Sequence, residues 1–149
     1  MAVKISGLKP FIVCPAILFL AGDNGTFVQH KFEAHFKRLT TQERDKLHAR
    51  YTLGDVVPQP ALDGVEQPPL RVPPLTDSQL LDEVMLGWGG MLDEAGQTVP
   101  YSHEERKATE AEYPGTEQAM AVSWYEQAFI NQRDARVKNS RAPSATTSA

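Results

Sequence analysis

A single cysteine, Cys14, occurs in 149 residues, so no internal disulfide can brace the chain and no cysteine-based zinc set can form. It sits in an apolar, strand-like run, where a lone thiol reads as buried and inert, and the shortage of cysteine points to a reducing compartment. Positive charge is also short. Fifteen Lys and Arg stand against nineteen Asp and Glu, a net charge of −4, and this is not the basic excess of a nucleic-acid binder. Long apolar runs are missing too. The most hydrophobic stretch, 11–20, is about ten residues, half of what a bilayer crossing requires. Pro15 interrupts it, and Gly22-Asp23-Asn24-Gly25 follows it as a turn signal where a signal peptide would end in a small-residue cleavage site. Neither nucleic acid nor membrane is expected as a partner.

Catalytic motifs are absent as well. Gly87-Trp88-Gly89-Gly90 does not lead into the Gly-Lys-Ser/Thr of a phosphate loop. Ser102-His103-Glu104 has the residue types of a triad, but neighbours on a helix point apart and cannot line up for proton transfer. In an extended strand His30 falls on the face opposite Glu33 and His35, too few ligands for zinc. The chain reads as a binding protein with no catalytic residues, no metal and no cofactor.

What is present reads as a hairpin followed by helices. The apolar run 11–20, the turn, and the alternation of Val28, Phe32, Ala34 and Phe36 with Gln29, Lys31, Glu33 and His35 predict two strands with one apolar face. Pro15 has no N–H to donate, so the first strand is an edge or is bulged there. Thr40 or Thr41 caps a short polar helix reaching about Tyr51. Between 54 and 75 prolines recur in Val-Pro-Gln-Pro, Gln-Pro-Pro-Leu and Val-Pro-Pro-Leu, which favour extended polyproline segments. A semi-rigid connector and a docking peptide for an aromatic groove both fit them.

From Thr76 onward the spacing is helical. Leu80, Leu81, Val84, Met85, Trp88, Met91 and Leu92 recur every three or four residues, and Thr76/Gln79 and Ser102/Glu105 have the form of capping boxes. This predicts a helix from near Asp77 to about Leu92, an Asp93-Glu94-Ala95-Gly96 turn, a short extended Thr98–Tyr101, and a helix from Ser102 to about Ala111 ended by Tyr113-Pro114-Gly115. A long last helix runs from Thr116 to about Val137 with Met120, Trp124, Tyr125 and Phe129 on its wide apolar arc. Gly87, Gly89 and Gly90 are costly inside a helix. Either another backbone lies close to Trp88, or the helix ends early, or Trp88 is an anchor in a partner groove. Residues 76–118 carry ten acidic side chains against two basic ones, net −8. They form a solvated face or a surface for a basic partner. The segment after Val137 is basic, then Ser- and Thr-rich and expected to be disordered.

The expected fold is therefore α+β but mainly helical: hairpin and short helix over 1–53, Pro-rich linker over 54–75, a small bundle of about three helices over 76–138, and a tail over 139–149. The candidate partner-binding residues are Trp88, Met91, Glu104, Glu105, Glu110, Glu112, Met120, Trp124, Tyr125 and Phe129.

Leu86-Gly87-Trp88, Met91, Asp93, Gly96 and Val99-Pro100-Tyr101-Ser102, followed by a charged helix and Tyr113-Pro114, resemble the tail assembly chaperones of long-tailed bacteriophages. So does the opening hairpin that closes on Phe36-Lys37-Arg38-Leu39. The doubled Gly89-Gly90 and the Pro-rich insert depart from that family's pattern. The resemblance implies a protein of the host cytoplasm that coats the tape measure protein, recruits tail tube subunits, self-associates, and is absent from the finished virion. The alternatives are a structural tail or head-tail completion protein, or a phage inhibitor that binds a host protein through the acidic block.

Overall fold

The computed structural model describes residues 10–126. They divide into two compact units: one holds the described residues up to Arg38 and from Met85 onward, the other holds 39–84. These borders do not follow the segments expected from the sequence.

The first unit is built on a three-stranded antiparallel sheet. Strand β1 (Phe11–Ala21) and strand β2 (Phe27–Lys37) form the expected hairpin, in register from Phe11↔Lys37 to Ala21↔Phe27. Period-two alternation puts Cys14, Ala16 and Leu18 of β1 and Phe32, Ala34 and Phe36 of β2 on the buried face. Pro15 lies on the outer edge strand, where its missing N–H leaves no ladder bond unmade. Burial pushes the Cys14 thiol up to about 11, so it stays protonated and unreactive near neutrality.

The third strand of this sheet corrects the mainly helical expectation. The helix that begins at Asp77 stops at Val84, and Met85–Gly89 is a strand that pairs antiparallel with β2. The three-residue spacing of Met85 and Trp88 suggested a helix, but a β-bulge produces it. Phe36 pairs with Met85 and His35 with Gly87, so Leu86 is the extra residue, and both Met85 and Trp88 face the core. Gly87 and Gly89 alternate onto the other face, where a Cβ on Gly89 would stand 3.0 Å from the Glu33 carboxylate. Among the described residues the chain is thus α+β with five strands and four helices, not a helical bundle.

Two helices complete this unit: His103–Glu112, begun by Ser102 Oγ accepting from Glu105 N at 2.9 Å, and Thr116–Ser123, followed by one π turn over 124–126. The second packs along β1 and against the first. Its Met120, Ala121 and Trp124 are buried, and Ser123 Oγ donates to Pro15 O at 2.7 Å. Full burial of side chains such as Phe36 and Trp124 stabilises by about 1.5–3 kcal/mol each or more. The expected continuation of this helix to Val137, with Phe129, and the expected tail lie outside the described residues.

In the second unit the helix Thr41–Thr52 opens with a full capping box, Thr40 Oγ1 accepting from Glu43 N and Glu43 Oε1 accepting from Thr40 N. The helix Asp77–Val84 opens the same way through Thr76 and Gln79. Arg50 Nη1 donates to Glu83 Oε1 at 2.8 Å and Tyr51 OH to Asp77 Oδ1 at 2.7 Å, joining the two helices. The Pro-rich stretch is more ordered than a connector. Asp55–Val57 pairs antiparallel with Leu70–Val72, and Leu62 bridges Val65 at the tip. The prolines all fall outside the paired residues, because proline cannot donate to a ladder.

We number the remaining elements in chain order: α1 (Thr41–Thr52), β3 (Asp55–Val57), β4 (Leu70–Val72), α2 (Asp77–Val84), β5 (Met85–Gly89), α3 (His103–Glu112) and α4 (Thr116–Ser123).

Candidate partner-binding groove

Within the first unit the end of the hairpin, the loop after β5 and one face of α3 enclose a groove of about 610 Å³, within the size range of ligand sites. Leu18, Phe32 and Trp88 contribute its buried floor. One wall is α3, whose Glu105, Thr109 and Glu112 share a face through spacings of four and three. The opposite wall is the loop from Gly90 to Val99, with Met91 and Leu92 at its lip.

Local chemistry fixes both walls. Asp93 Oδ1 accepts from Ala95 N and Gln97 N, each at 2.9 Å, as a turn-forming Asp does. Val99 N donates back to Met91 O and Gly96 N to Asp93 O, each at 2.9 Å, so the loop is a small closed hairpin. Trp88 Nε1 donates to Val99 O at 2.8 Å, and the Tyr101 ring meets the indole edge-on at 5.1 Å and 82°.

Behind α3 lies a polar cluster that sequence reasoning missed. Arg106 is fully buried; its Nε donates to Glu117 Oε2 at 2.8 Å, and its Nη1 donates to Tyr101 OH at 3.0 Å and lies 3.2 Å from His103 Nδ1. Glu110 completes the joint. Its two carboxylate oxygens accept from Gly115 N and Glu117 N, the first amides of α4, which Gly115 has no side chain to cap. No local pattern links Arg106 to Glu117, eleven positions apart, so only the folded chain reveals the pair.

The candidate residues from the sequence thus separate. Trp88, Met91, Glu105 and Glu112 come together in the groove. Glu104 is exposed on α3 without lining it, Glu110 caps α4, Met120 and Trp124 are core, Tyr125 is half-buried beyond α4, and Phe129 lies outside the described residues. Leu18 and Phe32 were legible only as an apolar strand face, Tyr113 only as part of a helix stop, and Thr109 carried no signal of its own. The rim is acidic: Asp93, Glu94, Glu105 and Glu112 face Lys31 and His30.

A second cleft, of about 500 Å³, runs along β1 beside α4 and reaches Ile17 and Phe19 on the outer face of the strand. That face is apolar yet open, with Val13 at 49%, Ile17 at 40% and Phe19 at 53% exposed, the kind of patch that marks an interaction surface. Among the described residues no group of three His, Cys, Asp or Glu is placed to hold a metal ion, and no helix is long and apolar enough to cross a membrane. No family model, curated protein or solved structure matches the chain.

Proposed function

We propose that the protein is a tail assembly chaperone, a binding protein without catalysis that holds apolar helical segments of a tape measure protein in the host cytoplasm and brings tail tube subunits to it. The observation that carries this reading is the groove. An apolar floor of Leu18, Phe32 and Trp88 under a rim of Glu94, Glu105 and Glu112 suits an amphipathic helix with an apolar ridge and basic flanks. The residues that carry the resemblance support it further, because Trp88, Met91, Asp93 and Val99 all border this one groove, and Tyr101 and Ser102 brace its walls. The open apolar face of β1 adds a second surface for the same work.

A long helical partner offers many similar segments, so repeated weak contacts give avidity without a tight single site. The test is co-expression with the cognate tape measure protein. It should bring that protein into solution with many copies of this one per partner. Leu92→Asp, at an exposed position of the groove lip, should fold normally and lose the capture. Co-purification at one-to-one stoichiometry, or retention of the protein in finished tails, would overturn the chaperone reading in favour of a structural tail component.

A further inference from the structure

The groove has a second ligand chemistry available within the sequence itself. Residues 127–149 hold Arg133, Arg136, Lys138 and Arg141 against a single acid, Asp134, and they include the apolar Phe129, Ile130 and Val137. That combination complements the groove, where four carboxylates rim an apolar floor. The path of α4 bears on which copy is served. The helix begins beside the groove, with Tyr113 in its lining and Gly115 close to Leu18, and runs along β1 to Ser123 at Pro15. The described chain therefore ends heading away from its own groove.

We propose that the groove of one copy receives the basic segment 127–141 of a second copy, in a head-to-tail contact. Such a contact is heterologous: groove and segment are different surfaces, so a pair leaves a free segment on one copy and a free groove on the other, and the association grows into rings or open chains. Opposite charges steer the encounter and the apolar residues supply contact area. Added salt weakens the association, because the carboxylates of the rim are exposed. The contact stands on this chain alone and holds whatever the identity of the outside partner.

A charge swap in the full-length chain tests it by sedimentation velocity over a concentration series, with circular dichroism as the check on folding. The wild type should sediment faster as concentration rises. A segment variant (R133E, R136E, K138E) and a groove variant (E105K, E112K) should each fold and self-associate at least tenfold more weakly. Mixing the two variants should restore association, since each then meets a complementary surface, and joining all five substitutions in one chain should restore it as well. A wild type that stays monomeric at every concentration would overturn the proposal, including when the segment folds back on its own groove. So would a segment variant that associates like the wild type, or a mixture that fails to restore association.

Discussion

Truncating Trp88 to Ala removes the floor of the groove and a member of the sheet core at once. The indole is 7% exposed, and burying roughly 200 Å² of it at about 25 cal/mol per Å² contributes about 5 kcal/mol as an upper bound, since the unfolded chain already covers some of that area. The Nε1 bond to Val99 O adds about 1 kcal/mol and the edge-on Tyr101 contact about 0.5–1.5 kcal/mol. Partial collapse of the site and the retained Cβ offset part of this, and large-to-small Trp substitutions in cores cost about 3–5 kcal/mol. The expected loss for Trp88→Ala is about 4 kcal/mol, a large share of a small domain's total stability. Trp88→Phe separates the contributions: it keeps a ring against Tyr101 but leaves the Val99 carbonyl without its donor, and should cost about 1–2 kcal/mol. Urea unfolding followed by far-ultraviolet circular dichroism measures both, with unchanged m-values as the check that the unfolded state is unaltered. A loss below about 1 kcal/mol for Trp88→Ala would refute the placement of this ring as the floor of the groove.

Arg106→Met should cost about 3–5 kcal/mol by stranding the buried Glu117 carboxylate, whereas the double variant Arg106→Met/Glu117→Leu should recover most of that loss in the same urea assay. Ser102→Ala should cost about 1 kcal/mol by removing the cap of α3, and Ser102→Gly only a few tenths. Gly90 sits at φ +77, so Gly90→Ala should cost about 1 kcal/mol or more in thermal midpoint measurements, while Gly89→Ala, whose one tight neighbour is the flexible end of Glu33, should cost less. Burial first, then the bond to Asp77, pushes the Tyr51 phenol up to about 12. Because the folded value is raised, the stabilisation is whole below the ordinary phenol value near 10 and is lost as pH rises through about 12. Absorbance titration should show a late-ionising tyrosine that disappears in Tyr51→Phe.

The hairpin and the caps were legible in the sequence because each is written in local chemistry. Alternation places Phe32, Ala34 and Phe36 on one face whatever they pack against, and Thr40, Thr76 and Ser102 each serve the backbone amide three residues on. Strand β5 was not legible, for a physical reason. A bulge at Leu86 gives Met85 and Trp88 the spacing of helix neighbours, and the apolar residues of α2 run into it without a break. The signal that could have separated the two was Gly87-Trp88-Gly89-Gly90, since glycines that weaken a helix are tolerated where a strand lies close to its neighbour's side chains.

The same bulge links the fold to the groove. Its extra residue turns Trp88 onto the buried face opposite Ala34, and the chain then reverses at Gly90 into the loop whose Val99 carbonyl receives the indole N–H. Trp88 is thereby shared between the core and the groove, so occupation of the groove acts directly on a side chain that holds the sheet together. The acidic rim was visible as a charge block, but which of its members face the groove is decided by the phase of α3. Glu105 and Glu112 lie on the groove face with Thr109, while Glu110 turns away to the amides that open α4. Reversing Glu110 would therefore disturb α4, whereas reversing Glu105 and Glu112 changes the field a basic segment meets and leaves the Ser102 cap, which uses only the backbone N–H of Glu105, in place.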